Sequence, residues 1–195
     1  MLTNKPYGKT KSRVPKTLER NELMNYAAQA MAARAQSAGE LRTRLLRRAA
    51  HKPDVDEILA YFKDLGYLND QKFAGMFADW RRENQGLGQA KVMRDLLSRK
   101  VAPEVAKQAG AESYQDVDEL ALIEDFLRRK YRGKDLKALL AEPKYLASAY
   151  RKLRMAGFGS SNSIKILKRF AAGADELEGM EVELGPETGT STDAE

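Results

Sequence analysis

The chain contains no cysteine, which excludes disulfides, thiol catalysis and a thiolate zinc site. Its single histidine, His51, cannot build a histidine-based metal site or a conventional catalytic triad. No run of about 18 apolar residues is present, and the N-terminal segment has no hydrophobic signal region. The expectation is a cytoplasmic protein without membrane contact. There are six prolines and few β-branched runs, so little room is left for a sheet. A phosphate-cradling loop is missing too: Gly86-Leu87-Gly88 has neither the length nor the following Lys-Ser or Lys-Thr pair. The acids Asp116, Asp118 and Glu119 belong to a helix first turn, where carboxylates stabilise the positive end of the dipole. No residue set reads as catalytic, metal-ligating or cofactor-binding, and the chain is expected not to be an enzyme.

Positive charge is also absent, but only from one end. Residues 174–195 hold eight acids and no Lys or Arg. All 34 basic residues therefore lie in 1–173 against 20 acids, a surplus of 14. Such a body favours a polyanion as partner, nucleic acid first and an acidic protein surface second. Residues 1–21, with six basic residues, two prolines and no periodicity, read as a flexible basic arm, and 174–195 as an acidic disordered tail.

What is abundant is helical periodicity. Leu23, Ala27, Ala30 and Met31 recur on one face of a helix ending near Arg34. Ser37 followed by Glu40 matches a capping box, opening a helix with Leu41, Leu45 and Ala49 inward. Pro53 opens a third helix, with Val55, Ile58, Leu59, Phe62 and Leu65 on one face and Gly66 as its stop. Asn69 is the expected N-cap of the next helix, whose buried stripe is read as Phe73, Met76, Phe77 and Trp80. Trp80, Tyr67 and Phe73 could stack on bases, but their helical spacing favours core packing. Val92, Leu96 and Leu97 carry the following core, a short helix runs from Pro103 to about Ala109, and Gly110 to Ser113 reads as a linker. Leu120, Ile123, Phe126, Leu127 and Tyr131 then mark a helix that Gly133 breaks. A short helical insertion follows, then Leu146, Ala149, Tyr150 and Leu153 line another helix. Gly157 is its expected C-cap, and Ser160 or Ser161 is expected to cap a last helix burying Ile164, Leu167 and Phe170.

Three groups of three helices result, over 22–67, 68–113 and 114–173. Divergent units of this kind fit an all-α, elongated and curved array in which each unit buries its apolar stripe against its neighbours. A compact bundle is the alternative. The polar faces are basic: Arg81, Arg82, Lys91, Arg94, Arg99 and Lys100 in the second unit. In the third they are Arg128, Arg129, Arg151, Arg154, Lys165, Lys168 and Arg169. Cations that neutralise phosphates release counterions, giving salt-sensitive binding of single- and double-stranded DNA with little sequence preference. Acidic protein surfaces would show the same salt signature.

Several stretches resemble the RecX regulatory proteins. One is Arg34-Ala35-Gln36-Ser37-Ala38-Gly39-Glu40-Leu41, followed by Gly66-Tyr67-Leu68-Asn69-Asp70 and Phe73-Ala74. Another is Gly88 through Val101, and a third is Arg154-Met155-Ala156-Gly157-Phe158. The resemblance spans about residues 22–172. It implies an all-helical array of three three-helix repeats, acting as a monomeric, non-catalytic modulator in homologous recombination and the SOS response. It further implies binding to the RecA recombinase and its filament on single-stranded DNA, with inhibition of ATP hydrolysis and strand exchange. The family's glycine after the first middle helix is missing here, where Ala49-Ala50-His51-Lys52-Pro53 stands. A free-standing helical DNA-binding protein and an RNA-associated scaffold are the alternatives.

Overall fold

A computed structural model describes residues 17–179. Residues 1–16 of the expected basic arm (1–21) and 180–195 of the expected acidic tail (174–195) lie outside the described residues, whereas the first helix already begins at Arg20 and 174–177 belong to a 3₁₀ turn that buries Ala174 and Leu177. Among the described residues there are ten α-helices and a closing 3₁₀ turn, and the only β-pairing is an isolated bridge between Leu18 and Ala49. The all-helical expectation is met. Contacts divide the chain into two compact units between Asn69 and Asp70.

The first unit packs α1 (Arg20–Ala33), α2 (Ala38–Leu46) and α3 (Pro53–Asp64) around Leu23, Ala27, Leu41, Leu45, Val55, Ile58 and Phe62. The capping box forms as its residues dictate: the Glu40 amide donates to Ser37 Oγ at 3.0 Å, and the Ser37 amide donates to Glu40 Oε2 at 3.4 Å. Gly66 takes φ +74° and closes α3. Leu65, expected inward, is half exposed, because α3 has ended before it and its apolar stripe is complete at Phe62. The turn that lacks a glycine is closed differently. The Leu18 amide donates to Arg48 O at 2.6 Å and the Ala50 amide returns to Leu18 O at 2.9 Å. A segment before α1 thus satisfies backbone groups that the turn leaves open.

The second unit holds two hydrophobic clusters. The first joins α4 (Asp70–Gln85), α5 (Gln89–Ser98) and α6 (Pro103–Tyr114) through Ala74, Ala78, Val92, Leu96, Ala106 and Ala109. The other is built by α7 (Glu119–Lys130), α8 (Leu136–Leu140), α9 (Pro143–Met155), α10 (Ser160–Leu167) and the 3₁₀ turn Ala172–Leu177. Its centre is Ile123, Leu127, Tyr150, Leu153, Phe158 and Ile166. Leu87 packs against both clusters.

Four expectations are corrected here. Met76 and Trp80 are not a buried stripe: they are 65% and 51% exposed. α4 has apolar residues on most of its circumference, and α6 approaches the side where Ala74 and Ala78 allow the closest packing. Leu97 likewise faces out, at 44% exposure, while Val92 and Leu96 are fully covered. The supposed linker 110–113 is the last turn of α6. Gly110 sits there because Met93 Cγ lies 3.0 Å from where a Cβ would stand, so a close contact rather than a break explains it. Finally, α10 has Gly159 at its N-cap and no side-chain cap; the Ser160 hydroxyl is hydrogen-bonded to Tyr150 Oη at 2.7 Å instead.

At the end of α5, Lys100 holds φ +59°, a left-handed conformation that L side chains enter at a cost. Replacing Lys100 with Gly is therefore expected to raise stability by about 1 kcal/mol, or roughly 2–4 °C in Tm, by thermal denaturation.

Candidate protein and nucleic-acid interface

The thirteen cations expected to form the interface do different jobs. One set is used inside the second unit. Lys91, expected outward, is only 9% exposed. Its Nζ pairs with Asp95 Oδ1 at 3.3 Å, one turn along α5, and its backbone lies beneath Gly157. Arg81 gives one guanidinium nitrogen to the same Asp95 carboxylate and another to Gln85. Arg82 donates to the Ser113 carbonyl, tying α4 to α6, and pairs with Asp79 at 3.3 Å. Arg94 donates to Met155 O at 3.2 Å, a carbonyl at the end of α9, and Arg154 donates to Phe158 O at 2.6 Å in the turn that follows. Arg129 donates to Asn84 O at 3.4 Å and lies over Gly86, where a Cβ would collide with its guanidinium.

A second set is paired near the surface. Glu124 holds Arg128 at 2.7 Å and Arg169 at 3.2 Å. The hydrogen bond from Arg128 draws the Glu124 carboxyl below its ordinary range. Lys168 pairs with Asp175 and, at 3.7 Å, with Glu178, and the hydrogen bond to Asp175 raises its pKa. Because the folded Glu124 pKa lies below the unfolded one, its contribution is present above the unfolded carboxylate pKa and lost as pH falls through the folded value. Glu124→Gln is expected to flatten the acid limb of the stability profile, measured as Tm against pH.

A third set is open. Arg151 and Lys165 are exposed and make no ion pair with a described residue. Lys100 is exposed as well; Arg99 is outside this set, half-buried with its guanidinium 4.8 Å from the Phe77 ring centroid. Sequence spacing did not separate these sets, because it places side chains on helix faces without showing which carboxylate another element brings up. Two cations outside the expected group, Lys130 and Lys152, meet Arg81 and Lys91 around one cleft. Among the described residues no group of His, Asp and Glu could hold a metal ion, and no helix is long and apolar enough to cross a membrane.

These features define a tandem helical protein with basic side chains on its surface and no metal cluster among the described residues. The family model for the second three-helix domain of RecX matches residues 69–109. The chain is 33% identical over 154 residues to the regulatory protein RecX of Deinococcus radiodurans, covering 76% of this chain and 69% of that protein. It is 29% identical over 130 residues to the regulatory protein RecX of Escherichia coli O7:K1, covering 62% and 76% respectively. The fold is shared with the crystal structure of RecX from Lactobacillus salivarius, with a TM-score of 0.61 at 16% identity over 77% of this chain and 96% of that one. The chain belongs to the RecX family of regulatory proteins.

Proposed function

We propose that this protein is a non-catalytic regulator that binds the RecA recombinase, chiefly as its filament on single-stranded DNA, and restrains ATP hydrolysis and strand exchange. Membership of the RecX family carries this reading. The surplus of basic residues in 1–173 supports it, since a nucleoprotein filament presents both phosphate and acidic protein surface. The contact surface in this reading is the set of thirteen cations, with Arg151, Lys165, Lys100 and Arg99 making direct contacts. Buried or carbonyl-bound members such as Lys91 and Arg154 hold the surface in shape. Binding is non-sequence-specific, by a cytoplasmic monomer that needs no cofactor.

The decisive experiment follows RecA-dependent ATP hydrolysis on single-stranded DNA as the protein is added. Inhibition is expected at concentrations well below those that coat bare DNA. An unchanged rate at saturation would remove the RecA reading and leave a free-standing DNA-binding protein.

A further inference from the structure

Inside the second unit, between α4–α5 and α7–α9, lies a cleft of about 310 Å³. Its polar lining is dominated by four cations, Arg81, Lys91, Lys130 and Lys152, and part of its floor is apolar, from Leu87 and Phe126. No carboxylate lines it. Asp95, just behind, is shared by Arg81 and Lys91. Lys152 has no carboxylate partner among the described residues; its amine stands 4.8 Å from the Tyr131 ring centroid and donates to the Tyr131 hydroxyl at 3.2 Å. Lys130 makes no ion pair with a described residue. Arg81 also keeps a buried Nε–H without an acceptor. With Arg81 and Lys91 engaged at Asp95, Lys130 and Lys152 line the cleft beside its apolar floor without a carboxylate partner among the described residues.

We propose that this cleft is a subsite for one phosphorylated nucleotide unit of a single strand, with Lys130 and Lys152 holding the phosphate and the Leu87–Phe126 floor taking the sugar and base. It rests on the reading that the protein works on single-stranded DNA. The ligand chemistry follows from the donors. The one guanidinium, whose planar fork suits a carboxylate, is already engaged by Asp95 and Gln85. The two ammonium groups left are point charges suited to the tetrahedral oxygens of a phosphate. The volume is at the small end for ligand sites, enough for a nucleotide and too small for a partner helix.

The test uses the full chain. Thymidine 5′-monophosphate, thymidine, inorganic phosphate and a polyglutamate peptide are titrated while the backbone amides of Leu87, Lys91 and Ala156 are followed by NMR. Thymidine 5′-monophosphate is expected to move them, and thymidine is not. In parallel, Lys130→Gln with Lys152→Gln should weaken binding of an oligo-dT strand about fivefold near 0.1 M salt and lower its salt slope by about 0.7, as expected for one lost phosphate contact on a single strand. Lys137→Gln with Lys144→Gln, outside the cleft, should do neither. If the cleft variant fails to fold, the wild-type titration decides alone. Silent amides with thymidine 5′-monophosphate overturn the subsite, and amides moved only by polyglutamate overturn the nucleotide in favour of an acidic protein segment. Silent amides in a protein that still inhibits RecA condemn the subsite alone. A seated nucleotide in a protein that leaves RecA unaffected condemns the functional reading alone.

Discussion

Gly157→Ala is expected to lower the melting temperature by roughly 6–12 °C, corresponding to about 3 kcal/mol. Two effects combine. Gly157 sits at φ +91° just past α9, a conformation that costs any L side chain about 1–2 kcal/mol. A Cβ there would stand 2.3 Å from the Lys91 amide nitrogen and 2.6 Å from Lys91 Cβ, with Gly88 O at 2.9 Å. Those are mostly backbone atoms of α5 and its approach, so no side-chain rotation relieves them. The same junction carries the hydrogen bond from the Gly88 amide to Ala156 O at 2.8 Å, and a Cβ on Gly88 would meet Gly157 O at 2.5 Å. The two glycines let one backbone rest on another. Gly133→Ala is the control: its φ is +77°, but nothing lies within 4 Å of the added Cβ. It should lose only the conformational part, about 1 kcal/mol. Equal losses for the two variants, by thermal denaturation, would show that contact at this junction contributes nothing.

Charge reversal should separate scaffold from surface. Lys91→Glu is expected to cost on the order of 3 kcal/mol, because it places a carboxylate in a buried position beside Asp95 and removes one of the two cations on that acid. Any loss of RecA inhibition would then follow loss of fold. Arg151→Glu with Lys165→Glu should leave stability within about 0.5 kcal/mol, since both side chains are exposed and unpaired among the described residues. Affinity for single-stranded DNA should fall about 25-fold or more near 0.1 M salt, because two contacts with a slope of about 0.7 each are lost. Circular dichroism and fluorescence anisotropy measure the two effects. Unchanged affinity in the folded Arg151–Lys165 variant would take those residues out of the interface.

The helices were legible in the sequence because their signals are local. The Ser37–Glu40 capping box, Pro53 at a helix start, and Gly66 and Gly157 at helix ends act within one turn of chain. The stripe Leu146, Ala149, Tyr150 and Leu153 is buried as its spacing requires. Trp80 and Met76 show where periodicity stops deciding. When a helix is apolar on several sides, the buried side is chosen by which neighbour comes closest, and α6 comes to the alanines. Gly110 shows it again, since a residue that breaks helices in isolation sits inside one where the Met93 side chain packs tightly against the position of a Cβ.

The charges divide along the same line. Composition alone fixed the basic body and the acidic end, and local spacing put the cations on helix faces. Only tertiary structure could bring Asp95 to Arg81, Glu124 to Arg169, and the Met155 carbonyl to Arg94. It likewise gathered Lys130 and Lys152 with Arg81 and Lys91 around one cleft, across 71 positions of chain from Arg81 to Lys152. Pairing between residues far apart in sequence depends on distances of a few ångströms, and no periodicity encodes those distances.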